Sequence, residues 1–117
     1  IKQLAFAFDQ NMRPCVAYRT EGNLTYLRWY DSVAQTYVTD SFGDLRDPRM
    51  TLDDKRAASA QTSDIIFAYL RGANLCYRQQ RDRYTIERLI GNAPVGKLTK
   101  VGLNRGFRLQ FEVDPRL

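Results

Sequence analysis

The chain contains no histidine, and that absence excludes more than any residue it holds. The commonest general base, the Ser-His and Cys-His nucleophile pairs and most catalytic zinc sites all depend on an imidazole, so most hydrolytic chemistry is disfavoured. Cysteine is scarce as well. Cys15 and Cys76 are the two present, too few and too far apart for a zinc motif, and a lone bridge between them would be an unusual framework for a domain of this size. Both are expected to be reduced and buried as small hydrophobes. The longest apolar runs, residues 4–8 and 65–70, fall far short of the roughly 20 residues that a spanning helix needs, and no signal-peptide pattern opens the chain, so membrane insertion is not expected. The first residue is isoleucine, so a trimmed or processed N-terminus is expected. Glycine-rich phosphate loops are missing too, and no cofactor or metal is implied.

What is present fits a packed single domain. The 117 residues suffice for one domain and hardly for two, and 44% hydrophobic with 26% charged residues suits neither a membrane span nor a disordered tail. Eighteen cations against thirteen anions give a net charge of +5, and fourteen of the cations are arginine. Arginine forms bidentate pairs and stacks on rings, which serves protein interfaces as well as phosphate contacts.

The periodicity along the chain is two. Leu4, Phe6 and Phe8 alternate with Ala5, Ala7 and Asp9, and Phe107, Leu109, Phe111 and Val113 alternate with Arg108, Gln110 and Glu112. Alternation of this kind puts one face of a strand in a core and the other in water or against a partner. Turn signals recur every 8 to 12 residues or so, which predicts an antiparallel all-β fold. Only residues 53–61 have respectable helix propensity, and a short helical turn or irregular loop is expected there.

The chain also repeats itself. Ala17-Tyr18, Asn23-Leu24 and Tyr26 recur with the same spacing as Ala68-Tyr69, Asn74-Leu75 and Tyr77, and Phe6-Ala7-Phe8-Asp9 is echoed by Met50-Thr51-Leu52-Asp53. Each unit then holds four strands: 4–8, 15–19, 24–30 and 36–39 in the first, and 49–52, 65–70, 75–79 and 84–89 in the second. Within a single domain 1–117, the repeats run over about 1–46 and 47–93, with a half repeat over 94–117. Antiparallel four-stranded repeats of this length predict a partial, β-propeller-like arrangement, with a β-sandwich as the alternative. An incomplete last unit leaves strand edges for partners to cover.

Few residues suggest chemistry. Asp53 and Asp54 are adjacent, so on a strand they point to opposite faces and make no catalytic pair. Asp9 and its echo Asp53 stand where a short carboxylate ties down a turn through backbone amides. The sialidase-type Ser-x-Asp-x-Gly-x-x-x-Trp box is absent. Basic residues cluster at Arg71, Arg78, Arg81, Arg83 and Arg88, interleaved with Tyr69, Tyr77 and Tyr84, while Asp40, Asp44, Asp47, Asp53 and Asp54 form an acidic stretch. Opposite patches suit head-to-tail docking of subunits better than nucleic acid, for which no motif is present. Candidate interface residues are therefore Tyr26, Trp29, Tyr77, Arg78, Arg81, Arg83 and Phe111. Tyr26, Trp29 and Tyr30 could alternatively stack on a sugar ring, as in a lectin-like module.

Several strings carry a resemblance: Leu4-Ala-Phe-Ala-Phe-Asp9, Leu52-Asp-Asp-Lys-Arg56, Asp64-Ile-Ile-Phe-Ala-Tyr-Leu-Arg71, Tyr77-Arg-Gln-Gln-Arg-Asp-Arg-Tyr84 and Leu109-Gln-Phe-Glu-Val113. Over nearly its whole length the chain resembles a family of small structural proteins from the tail-module genes of tailed bacteriophages and prophages. The resemblance implies a non-enzymatic component of the virion tail or tail tip. Its implied partners are other tail proteins and copies of itself, and it would join them or help present a receptor-binding apparatus. The rival expectation is a carbohydrate-binding module for a glycan of the bacterial surface.

Overall fold

Among the described residues, alternation of period two becomes ten strands. β1 (Gln3–Phe8), β2 (Pro14–Arg19), β3 (Thr25–Asp31) and β4 (Thr36–Gly43) form one meander, and β5 (Arg46–Asp53), β6 (Asp64–Arg71), β7 (Asn74–Gln79) and β8 (Arg88–Asn92) form a second in the same order. β9 (Lys97–Leu103) and β10 (Leu109–Asp114) make a hairpin. All pairings are antiparallel. The structure, a computed structural model, describes residues 1–53, 64–92, 96–103 and 109–114. The fold is all-β, with one 3₁₀ turn (Gln80–Asp82) among the described residues and neither a closed barrel nor a closed ring of sheets. Of the stretch 53–61, all but Asp53 lies outside the described residues.

The three units stack as layers. Cys15, Ala17, Leu27 and Trp29 of the first sheet pack against Leu45, Ile65, Phe67, Tyr69, Cys76 and Tyr84. On its other side the second sheet presents Ile66, Ala68, Leu70, Leu75 and Tyr77 to Leu98, Val101, Leu109, Phe111 and Val113 of the hairpin. β6 is consequently buried on both faces from Asp64 to Leu70, which explains why its sequence is a continuous apolar run and not an alternation. Gly72 at φ 60° opens the two-residue turn between β6 and β7, a corner that favours glycine.

The first strands of the units, β1, β5 and β9, lie side by side, and side chains join them. Asp47 stands at φ 54° in a bulge where the β5–β6 register slips between Arg46 and Arg49. Next to it Pro48 has no N–H to give a ladder. The left-handed backbone turns the Asp47 carboxylate inward, where it is 6% exposed. Gln3 Nε2 donates to one of its oxygens at 2.6 Å and the Leu98 amide to the other at 3.1 Å. Gln3 Oε1 in turn accepts from the Asp47 amide. One residue of the middle unit thus holds both of its neighbours.

Comparison of the registers corrects the alignment of the repeats. Ala17 pairs with Leu27 in the first sheet and Ala68 with Tyr77 in the second, so Leu27 and Tyr77 correspond, and Tyr26 corresponds to Cys76. Tyr26 and Tyr77, matched by sequence spacing, lie on opposite faces of their sheets. The connection after β6 is one residue shorter, and a one-residue slip in a strand reverses the face. The expected strand 84–89 also starts later. Arg83 and Tyr84 both adopt positive φ, so β8 begins only at Arg88 and the Tyr84 ring drops into the core instead.

Candidate functional site

Two regions gather the residues singled out by sequence: the seam between the two sheets and the outer face of the first sheet. At the loop end of the seam a cleft of about 540 Å³ is lined by Asp9, Arg13, Tyr30, Asp31, Asp64 and Arg81, among others. Each carboxylate there has a structural task. Asp9 Oδ1 accepts from the Asn11 and Arg13 amides and closes the β1–β2 turn as expected. Asp31 accepts from the Val33 and Ala34 amides and from Arg83. Asp64 takes the Arg81 amide and the Arg81 guanidinium. Burial would raise the Asp31 carboxyl, but the Arg83 guanidinium and the two amides outweigh it and hold it below the ordinary carboxylate range.

The arginine-rich stretch is neutralised from within the chain. Arg71 grips Glu87 through Nε and Nη2, Arg81 pairs with Asp64, Arg83 with Asp31, and Arg88 with Asp82. Arg78 donates to the Tyr69 hydroxyl at 2.9 Å and to the Tyr84 carbonyl at 2.7 Å, and lies 4.5 Å over the Phe42 ring. Tyr69 donates to Glu87 at 2.6 Å. Burial, then that bond, pushes the Tyr69 phenol up; Glu87 is held below its usual range because Arg71 and Tyr69 overcome its own desolvation. Three residues of the acidic stretch also have partners inside the chain: Asp40 accepts from the Trp29 indole at 2.8 Å, Asp44 from Arg19, and Asp47 makes the staple described above, while Asp54 lies outside the described residues. Among the described residues, the basic and acidic stretches are thus tied to partners within the chain.

Deeper in the seam, Cys15 Sγ lies 3.6 Å from the Tyr84 hydroxyl. Burial pushes the Cys15 thiol up to about 12, beyond the opposing effect of that bond, and Cys76 is raised for the same reason. Both cysteines are free and buried, which makes them poor nucleophiles.

The outer face of the first sheet differs in kind. In β1 the small Ala5 and Ala7 point inward, while Leu4, Phe6 and Phe8 are 55%, 61% and 44% exposed. The ladder sets Leu4 opposite Tyr18, Tyr18 opposite Tyr26, Phe6 opposite Val16, and Tyr30 opposite Tyr37. Tyr18 and Tyr26 stack at 5.4 Å, and Tyr30 meets Tyr37 edge-on at 5.3 Å. Arg13 lies 3.9 Å over the Tyr30 ring, and Arg28 lies 5.4 Å from the Tyr37 centroid. The strands place no carboxylate on this face. It is an open aromatic and aliphatic surface with two guanidinium groups, and contiguous exposed surfaces of this composition mark interaction sites.

Of the candidates chosen by sequence, Tyr26 lies on this open face. Trp29 is 5% exposed in the core, its ring edge-on to Tyr84. Tyr77 and Phe111 pack on each other, 5.8 Å apart, between the second sheet and the hairpin. Arg81 and Arg83 line the cleft at the end of the seam, and Arg78 lies within the seam over the Phe42 ring. Leu4, Phe6, Phe8 and Tyr18 were not among the candidates, although the pairing of large with small residues along β1 marks a two-sided strand. A scan against family models returns no match, and searches of curated proteins and of solved structures return none either.

Proposed function

We propose that this chain is a non-enzymatic structural subunit of a phage tail or tail tip, an assembly or adaptor piece that docks onto other tail proteins. The observation that carries the docking role is the outer face of the first sheet, where Leu4, Phe6 and Phe8 stand in water beside stacked tyrosines. An apolar area of this kind is costly to leave in water and contributes binding free energy when covered. The virion setting rests on the resemblance of the sequence strings. Against catalysis stand the absence of histidine and the structural employment of Asp9, Asp31 and Asp64.

A sugar would need an accessible aromatic platform. Of the three rings expected to stack on a sugar, Trp29 is enclosed and Arg13 already lies over Tyr30, which leaves Tyr26, itself stacked on Tyr18, and favours the subunit over the lectin. The test is co-purification with the tail proteins of the phage or prophage that encodes the chain. The native protein is expected to be retained, and the double variant Phe6→Glu, Tyr18→Glu to lose at least about tenfold in association, a modest outcome for two central interface residues. The folded state of the variant should melt within a few degrees of the native one. Micromolar retention of the isolated chain on bacterial surface glycans, unaffected by these substitutions, would instead establish the carbohydrate-binding role.

A further inference from the structure

The two sheets are successive copies of one layer, and what covers the second sheet states what is missing from the first. The registers make Val16 the counterpart of Phe67, Tyr18 of Tyr69, Phe6 of Met50, Phe8 of Leu52 and Arg28 of Arg78. On the second sheet these positions are covered: Phe67 and Tyr69 are 0% exposed, and Met50 and Leu52 are packed on the core. They are covered by the inward face of the first sheet, which offers Ala7, Cys15 and Ala17 along its centre and Leu27 and Trp29 beside them. Small residues of one layer receive large residues of the next. Arg78 is received by the ring of Phe42 on β4. On the first sheet Phe6, Phe8 and Arg28 are exposed, and Val16 and Tyr18 are half-buried among their strand neighbours.

We infer that the outer face of the first sheet is the seat for a further four-stranded antiparallel sheet of the same build, carried by a partner other than a second copy of residues 1–117. That sheet would present small residues on its second strand to Phe6, Val16 and Tyr18, and an aromatic ring or carboxylate on its fourth strand to Arg28. A second copy has no such face left. The small-residue face of its first sheet is closed by its second, and that of its second sheet by the hairpin. The far side of the hairpin carries the exposed polar residues Thr99, Lys100, Gln110 and Glu112, which do not match an apolar face. The seat presupposes the subunit role proposed above and specifies the chemistry of its neighbour.

The test reads the seat in isolation from any virion. A Phe6→Cys variant of the 117-residue chain supplies a reporter thiol, and Cys15 and Cys76 stay silent because they are buried. The chain is then extended ahead of Ile1 by a further copy of residues 1–44, joined directly in one version and through four extra Gly-Ser residues in another. The added sheet brings the Ala7, Ala17, Leu27 and Trp29 face that the seat requires, and it carries Cys15→Ser so that the introduced thiol stays the only accessible one. Alkylation of the introduced thiol by iodoacetamide is expected to slow by about tenfold or more in at least one version. Protection should vanish when the added copy carries Ala17→Arg. An unchanged rate in both versions overturns the seat. So does a 117-residue chain that sediments as a dimer with its introduced thiol already protected, because a second copy would then be the occupant. Loss of association with tail proteins in the co-purification, with the seat intact by alkylation, would count against the virion role alone.

Discussion

Replacing Phe67 with alanine is expected to lower the unfolding free energy by about 3–5 kcal/mol, whereas Phe6→Ala should change it by less than about 1 kcal/mol. Both residues are phenylalanines on strands of equivalent layers, and their side chains point in the same sense along the stack. The difference is cover. Phe67 is 0% exposed, with Tyr69 at 5.0 Å and Phe42 at 6.0 Å between ring centroids, and its removal leaves a void that close-packed neighbours fill only in part. Phe6 is 61% exposed, opposite Val16 in the ladder and with its ring edge-on to Phe8 at 6.2 Å. With total stabilities of roughly 5–15 kcal/mol for a domain, Phe67→Ala should bring the thermal midpoint down by roughly 10–20 °C, read by circular dichroism. Equal costs for the two substitutions would mean that the seam between the sheets is not packed as described.

The second large effect belongs to Asp47. Its carboxylate accepts from Gln3 Nε2 and from the Leu98 amide, so Asp47→Ala leaves two donors from two other units unpaired in a buried place. Hydrogen bonds to a charged acceptor contribute about 1.5–3 kcal/mol each, and the two share one carboxylate, so a loss of about 2–4 kcal/mol is expected. Alanine also fits the φ of 54° poorly. Asp47→Asn should cost less, since asparagine tolerates the left-handed backbone and keeps one acceptor, yet its amide nitrogen would face a donor. Urea unfolding reads both, with the midpoint shifted and the slope unchanged. The Leu98 amide should also exchange its hydrogen faster in Asp47→Ala, because the hairpin is then held mainly by apolar contacts. A cost below about 1 kcal/mol would show that the three first strands are not joined through this residue.

Strand placement was legible in the sequence because period two survives wherever a strand has one covered and one open face. β1 and β10 are such strands. Asp9 was legible too, since an aspartate just after a strand has backbone amides within reach. Facing was harder. Tyr26 and Tyr77 share a spacing in sequence, but the shorter connection after β6 shifts the ladder by one residue and turns Tyr77 onto Phe111. Asp47-Pro48 reads as a turn, and in the fold it is a bulge inside β5, so that strand begins at Arg46.

The arginines were visible as a cluster, but which carboxylate each one meets was not: Arg71, Arg81 and Arg88 find Glu87, Asp64 and Asp82 within the second unit, and only Arg83 reaches Asp31 across the stacked sheets. Local charge counting shows the cluster but not the internal ties that the fold makes of it. The open face was half legible. Leu4, Phe6 and Phe8 alternate with small residues, and size alone suggests that the large ones point inward. The stack reverses this because close approach of two sheets at their first strands requires alanine.

The proposed docking role rests on one face of the first sheet being open while its counterpart on the second sheet is closed. Hydroxyl-radical footprinting of the isolated chain, at a concentration where it sediments as a monomer, tests this most directly. Phe6, Tyr18 and Tyr26 should be oxidised at least about tenfold faster than Phe67 and Tyr69, in line with their side-chain exposure. Equal protection of Phe6 and Phe67 in that monomer would contradict the account.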